Sequence, residues 1–499
     1  MTIERELKLA APPGYHLPEL DGLGDSVVAV RVGDQDLRAT YYDTPDLRLA
    51  RWGVTLRHRT GDDEAGWTLK LPADPEANVL ARHELSFPGP NSTVPAAAAQ
   101  LVRAYVREST LARVARLTTR RGRVELRNGT GEVLALVSDD EVSVYEGRRL
   151  TGRFRELEVE VASASTTNEL VEAVGECLRR AGATRGDAMP KLVRALGPHV
   201  LEWPEVPNVD LGAGAVAGDV VRAAIAGSVA RLMRHDPGVR IGDDIEDLHQ
   251  ARVATRRLRS DLRTFRQLLD AQWATELGEE LRWIGGLLGA VRDADVMTER
   301  LSRQVGGLTP VDPRASAALF RRLSDDHATR RAELMVALDG PRYVALLGSL
   351  LAAATEPVLS VRASEPALPT TAALVRGPWR QLEAAVKALG EHAPDEQLHR
   401  VRIQAKRTRY AADAAAAVWG KPARRLASAL SRVQSVLGDL NDAQVAEQWL
   451  RQRGRRSAGQ AFLAGELTAM QRAAADRARR AWPEVWRKAA SPKLRSWLA

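Results

Sequence analysis

Apolar residues recur with period two up to about residue 198 and with period 3.6 from about residue 218 almost to the C-terminus. That one change divides the chain into two regions that need different folds. In the first, alternation runs through Ile3-Glu4-Arg5-Glu6-Leu7-Lys8-Leu9 and through 54–59, 67–71, 133–137 and 157–161, which read as strands. Turn-forming stretches such as Ala11-Pro12-Pro13-Gly14 and Pro88-Gly89-Pro90-Asn91 separate them, and helices are expected near 96–107 and 168–181. A linker rich in Pro and Gly follows at about 202–218, and the rest reads as nearly all helix.

The 499 residues, 44% of them hydrophobic, suffice for two or three ordinary cores. A single cysteine, Cys177, excludes a disulfide framework and any multi-cysteine metal site and points to a reducing compartment. No run of about 18 apolar residues is present, so a soluble, cytoplasmic protein with no membrane partner is expected. The net charge of +8 favours an anionic partner, while an aromatic content of 5% disfavours the base-stacking platforms of single-stranded nucleic-acid binders. The histidines outside the repeat described next are scattered, which argues against a histidine metal site.

The helical region repeats itself. His249-Gln250-Ala251-Arg252-Val253-Ala254-Thr255-Arg256-Arg257-Leu258-Arg259 returns as His399-Arg400-Val401-Arg402-Ile403-Gln404-Ala405-Lys406-Arg407-Thr408-Arg409, and Leu288-Gly289-x-x-x-Asp293 returns as Leu437-Gly438-x-x-x-Asp442. Two matches in one order at nearly one offset imply two helical bundles related by pseudo-symmetry, about 216–355 and 371–490.

Strand parity adds chemistry to the first region. Residues two apart share a face, so Glu4, Glu6 and Lys8 lie together, as do Glu156, Glu158 and Glu160, Arg57 and Arg59, and Thr68 and Lys70. A solvated strand face usually mixes polar types; here one strand is an acid triplet and another an arginine pair. Like charges on neighbouring strands repel unless a ligand lies between them. A divalent cation on the carboxylates beside an oligophosphate on the bases would neutralise both, and Mg²⁺ suits such hard oxygen ligands.

These residues resemble the CYTH domain, or triphosphate tunnel metalloenzyme family. The resemblance rests on Glu4-x-Glu6-x-Lys8, Tyr41-Tyr42-Asp43-Thr44-Pro45, Leu56-Arg57-x-Arg59, Thr68-Leu69-Lys70, Arg82-His83-Glu84, Asp139-Asp140, Glu156-x-Glu158-x-Glu160 and Lys191, in the family's order over about 1–199. It implies an antiparallel β-barrel tunnel with flanking helices, and hydrolysis of a triphosphate with Mg²⁺ or Mn²⁺. Carried over, Glu4, Glu6, Glu156 and Glu158 match metal ligands, joined by one of Asp139 and Asp140, with Asp139 taken first. Lys8, Arg57, Arg59, Lys70 and Lys191 match phosphate-binding residues, together with one of Arg120, Arg121 and Arg123, with Arg121 preferred. Glu4, Glu6 and Lys8 are the catalytic candidates. The implied chemistry is in-line attack by a metal-associated water on the terminal phosphoryl.

On a helix, His249, Arg252, Arg256 and Arg259 form one stripe, and His399, Arg402, Lys406 and Arg409 repeat it. Stacked like charges weaken a helix unless an anion compensates. This half resembles the CHAD domain, the conserved-histidine α-helical domain, over about 216–490, with 200–215 as linker. The resemblance implies two four-helix bundles around a basic groove for inorganic polyphosphate, with the eight stripe residues facing the polyanion. Arg257 and Arg407 lie off the stripe and are expected to pair with acids such as Asp293 and Asp442. The expected activity is a metal-dependent triphosphatase acting on inorganic triphosphate or a phosphate-chain end, with polyphosphate, and by extension polyphosphate granules, as partner. The rivals are a non-catalytic polyphosphate-binding protein, another CYTH reaction (thiamine triphosphate hydrolysis or adenylate cyclisation), and nucleic-acid binding by the basic half, of which the low aromatic content disfavours the single-stranded form.

Overall fold

The computed structural model describes residues 2–23, 27–61, 65–72, 80–163, 165–185, 191–197, 200, 205–308, 311–390, 393–453 and 457–498, with the side chains of 2–5, 80–82 and 185 excepted. The chain divides into two compact units, Met1–Glu205 and Val206–Ala499.

The first unit is built on nine strands: β1 (Thr2–Ala11), β2 (Val28–Asp43), β3 (Thr55–Thr60), β4 (Gly66–Pro72), β5 (Leu80–Phe87), β6 (Ala112–Arg127), β7 (Val133–Glu146), β8 (Arg149–Val161) and the short β9 (Thr184–Arg185). Their order is β5-β4-β3-β2-β6-β7-β8-β1-β9, and β1 also pairs with β5, so eight antiparallel strands join into a ring. Among the described residues, the helices that accompany them are α1 (Arg48–Arg51), α2 (Ala96–Leu101), α3 (Arg103–Val106), α4 (Asn168–Arg180) and α5 (Lys191–Leu196). The single helix expected at 96–107 is two helices, because Val102 leaves helical geometry at φ −100° and ψ 9°. β2 and β6 are the longest strands, yet no alternation announced them: β6 strings Arg and Thr on both faces.

Which face of the ring points inward follows from α4. Its Leu170, Val171, Val174 and Leu178 pack on Leu9, Val124, Leu126, Val137, Leu157 and Val159. Successive side chains alternate, so the intervening Glu6, Lys8, Arg123, Ser138, Asp140, Glu156 and Glu158 face the lumen. Farther along the same inner rows the residues turn apolar. Ala39, Tyr41, Leu117, Val142 and Val144 pack with Leu192 and Val193 of α5, which therefore stops one end of the lumen and brings Lys191 into it.

The second unit holds α6 (Ala217–Ile241), α7 (Ile245–Thr264), α8 (Ala271–Val305), α9 (Pro313–Asp339), α10 (Pro341–Thr355), α11 (Ala367–Lys387), α12 (Asp395–Trp419), α13 (Lys421–Arg453) and α14 (Ala458–Ala489). Several helix starts are set by side-chain caps: Asp244, Asp270, Asp312 and Ser457 each accept a backbone N–H of the following turn. Helices α6 to α10 form one bundle and α11 to α14 the other, each packing sequential neighbours, and α7 meets α12 where the halves join. Met297, Leu301, Leu319 and Leu323 share a second junction with Ala446, Leu450, Leu463 and Leu467. Among the described residues, no single helix is long and apolar enough to cross a membrane.

The close approach of α4 to β1, directly behind Glu6 and Lys8, depends on Gly175: a Cβ there would lie 2.6 Å from Leu7 Cδ2. Gly175→Val is expected to lower the unfolding free energy of the barrel unit by about 1–3 kcal/mol, read from urea denaturation.

Candidate active site and polyanion-binding surface

Strand register brings the lumenal charges into adjoining rows. Asp140 pairs with Glu156 and with Arg121, Lys8 pairs with Glu158, and Glu6 pairs with Glu160. Lys191 Nζ reaches into the acid group from α5, 2.6 Å from Asp140 Oδ2, 3.0 Å from Glu156 Oε1 and 3.1 Å from Glu158 Oε2. Lys8 Nζ lies 2.6 Å from Glu158 Oε1 and 3.2 Å from Glu6. Arg121 donates to both oxygens of Asp140, at 2.7 Å each, and to Glu158 Oε2 at 2.9 Å. On the opposite arc, Arg59 is buried on β3, Arg57 shares its face, and Lys70 Nζ lies 3.0 Å from Glu84 Oε2.

The electrostatics follow from this packing. Burial alone would drive the Glu158 carboxyl up, but Lys191, Lys8 and Arg121 hold it well below the usual carboxylate range. Burial likewise opposes the charge on Asp140, and Lys191 and Arg121 reverse that, holding its carboxyl low. The amines of Lys8 and Lys191 would be lowered by burial and are raised instead by the acids around them. Tyr41 sits among Arg57, Lys191 and Lys70, which bring its phenol below the ordinary value against the effect of burial.

The residues present fit a hard divalent cation. One oxygen from each of Asp140, Glu156 and Glu158 lies within 4.8 Å of the others, and Glu156 Oε1, although close to Lys191, is buried without a hydrogen bond. Glu6 is buried in the neighbouring row. Glu4 lies on β1 opposite Arg82, but its side chain is outside the described residues. The choice of Asp139 is corrected: Asp139 is on the outer face, where Arg155 donates to it at 2.8 and 2.7 Å, and Asp140 is the lumenal partner. Each of the pair has one apolar and one polar neighbour on its own face of β7, Val137 and Glu141 for Asp139 and Ser138 and Val142 for Asp140, so parity alone did not separate them. Arg121 lies in the lumen, and Arg120 is exposed beside Asp34. Glu84 was present in the motif but not singled out as a site residue.

In the helical unit the two stripes converge. Burial first, and then the charges of Arg256, Arg252 and Arg259 on α7 and Arg402 on α12, bring the Lys406 amine down to about 7. Arg256 and Arg409 lie over the Tyr410 ring at 5.9 and 4.5 Å. The Nε atoms of Arg256, Arg402, Arg407 and Arg409 are buried without hydrogen-bond partners. Arg252 and Arg402 pack beside the repeated glycines: a Cβ at Gly289 would lie 3.6 Å from Arg252 Nε and one at Gly438 3.8 Å from Arg402 Nε, ordinary contact distances. His249 is half-buried within reach of Arg292, Arg256 and Arg252, and burial chiefly lowers its pKa. His399 is exposed, so the two histidines are not equivalent. The expected pairing of Arg257 with Asp293 is corrected. Asp293 takes Arg252 at 2.9 Å, while Arg257 turns toward α12 and lies 3.9 Å from Asp261 and 3.8 Å from Asp413. Arg282 and Arg292 of α8 add charge beside Arg259 and His249; Arg292 is the residue at which the repeated segments depart, with Asn441 in the second copy, while Arg282 lies outside the repeat and was not anticipated.

Comparison with known proteins agrees with this division. The family model of the CYTH domain matches residues 2–193 and that of the CHAD domain residues 223–451. An uncharacterized protein of Mycobacterium tuberculosis is 32% identical over 451 residues, covering 87% of this chain and 85% of its own. Among solved structures, PptA from Streptomyces chartreusis is 24% identical, covering 55% of this chain and all of its own, with a TM-score of 0.46. The CHAD domain from the plant Ricinus communis is 25% identical, covering 59% of this chain and 95% of its own, with a TM-score of 0.43.

The depressed lumenal carboxyls set a sign for acid stability. Their stabilisation is complete above the unfolded carboxylate range, near pH 4.5, and is lost as pH falls through the lower folded values. With EDTA present, the barrel's urea midpoint should fall on acidification below about pH 4.5. Glu158→Gln should lower it at neutral pH and flatten the acid limb.

Proposed function

Because the chain belongs to the family in which a CYTH domain precedes a CHAD domain, we propose that it is a cytoplasmic, Mg²⁺- or Mn²⁺-dependent triphosphatase whose helical unit holds polyphosphate. The observation that carries the catalytic half is the meeting of an acid group and a basic arc on the inner face of one ring. Asp140, Glu156 and Glu158, with Glu6 and the neighbouring Glu4, would hold the cation. The bound cation would supply positive charge to the phosphoryl oxygens as the bond to the leaving phosphate breaks.

The chain's own residues set the rest. Arg57, Arg59, Lys70 and Lys8 give a phosphate chain fixed donors in a lumen from which α5 excludes water at one end. Arg121 and Lys191 touch the acid group and face the same space, so they can tie the phosphate end to the carboxylates. The ordering is done in advance by the barrel, which is the condition for electrostatic stabilisation of a phosphoryl transition state.

The polyphosphate reading of the helical unit is supported by cations converging from both copies, with guanidinium donors buried and without partners. A polyanion supplies the missing acceptors. Tethering both units on one chain raises the local concentration of phosphate-chain ends for the barrel.

The test is phosphate release from inorganic triphosphate, ATP, thiamine triphosphate and long-chain polyphosphate with Mg²⁺ or Mn²⁺. Triphosphate hydrolysis should fall at least about 100-fold in Glu6→Gln and Glu158→Gln, and should survive Arg256→Gln/Arg402→Gln. No release from any substrate, with polyphosphate still bound, would leave a binding protein. Affinity for polyphosphate should also depend on pH through Lys406, which faces Arg252, Arg256, Arg259 and Arg402. Below about pH 7 the amine is already charged. Above it binding must take up a proton, so Kd should rise by up to about tenfold per pH unit, and Lys406→Met should flatten that limb.

A further inference from the structure

Among the described lysines that are not exposed, Lys8, Lys70, Lys191 and Lys406, only Lys406 lacks a carboxylate partner; the exposed Lys421 and Lys493 lack one too but have solvent instead. Lys8, Lys70 and Lys191 lie 2.6 to 3.0 Å from lumenal carboxylates, and the exposed Lys387 and Lys488 pair with Glu383 and Glu484 at 3.6 and 2.8 Å. Lys406 has no carboxylate partner among the described residues. The nearby acids are engaged elsewhere: Asp293 with Arg252, and Asp413 with Arg257 and Arg409. Arg252, Arg256, Arg259 and Arg402 surround the amine, and none of them can give up a proton near neutral pH. Lys406 is therefore the member of this cluster that relieves the repulsion, and at an ordinary pH much of it carries a free lone pair. An unprotonated, half-buried amine beside several guanidinium groups is a nucleophile with a phosphate-binding site at its side.

We propose that Lys406 is a modification site at which an acyl phosphate, gathered by the surrounding guanidinium groups, acylates Nζ. The lone pair of Nζ attacks the acyl carbon, the bond from that carbon to the phosphate oxygen breaks, and the phosphate leaves with the electron pair. The proton lost from nitrogen passes to the departing phosphate, so the products are an Nε-acyl-lysine and inorganic phosphate. Arg256 and Arg402 serve twice, holding the anionic donor and stabilising the charge that grows on its leaving group. Acylation removes a cation from the surface that the polyphosphate reading assigns to the polyanion, and would weaken binding there. The acylation itself rests on the cluster and not on polyphosphate being its ligand.

The experiment uses the full chain with acetyl phosphate at pH 7.5 and follows each lysine by peptide mass spectrometry. Lys406 should be acetylated roughly 10-fold or more faster than Lys488, which is exposed and paired with Glu484. Arg256→Gln and, separately, Arg402→Gln should slow Lys406 several-fold while the circular dichroism stays that of the wild type. Acetylation of Lys406 no faster than that of Lys488, or unchanged in both arginine variants, would overturn the proposal. So would rapid reaction with an uncharged acetylating ester but not with acetyl phosphate, since the guanidinium groups would then have no part in it. Added long-chain polyphosphate should protect Lys406. Polyphosphate that fails to bind the protein at all counts against the polyphosphate reading, and the rate measured without it still decides the acylation.

Discussion

The first unit is governed by the need to keep carboxylates charged inside a closed ring of strands. Buried like charges cost several kcal/mol each unless they are compensated, and strand alternation gives the inward residues no other place to go. Lys8, Arg121 and Lys191 meet that need from three separate elements, and each touches the acid group directly. On the proposed function, the balance on which the fold depends is also the recognition device. Carboxylates held ionised are ready for a hard cation, and cations held charged are ready for phosphate. The end of α5 is a good instance, because the helix that stops the lumen with Leu192 and Val193 also delivers Lys191 to its centre.

The helical unit solves the opposite problem. Its cations gather from two pseudo-equivalent helices with few acids to answer them, and the strain appears as arginine donors without acceptors and a lysine with a lowered affinity for its proton. Arg252 and Arg402 pack at the same place in each copy, beside Gly289 and Gly438. The two halves are not copies in detail. His249 lies in the cluster and His399 is exposed, and Arg292 in one half faces Asn441 as its counterpart in the other.

Much of this was legible in the residues themselves. Strict alternation around Glu6, Lys8, Glu156 and Glu158 announced a charged inner face, and the repeated stripes announced two bundles. What escaped was set by tertiary pairing. Asp139 and Asp140 differ only in which side of β7 they take, and that side is decided by the register with Arg121 and Glu156. The long β2 and β6 carry polar residues on both faces because one face meets solvent and the other the lumen, so period two is blurred. Arg257 found Asp413 rather than Asp293 because the packing of α7 on α12 cannot be read from either helix alone.

The central claim is that the acid group and the basic arc serve one joint ligand, a divalent cation together with a triphosphate. It is tested most directly by equilibrium binding of Mn²⁺, followed by electron paramagnetic resonance, with and without a non-hydrolysable imidotriphosphate. If the account holds, each ligand tightens the other by the same factor, and that coupling disappears both in Glu158→Gln and in Lys70→Met. Mn²⁺ and the analogue binding independently, or the coupling surviving both substitutions, would contradict it.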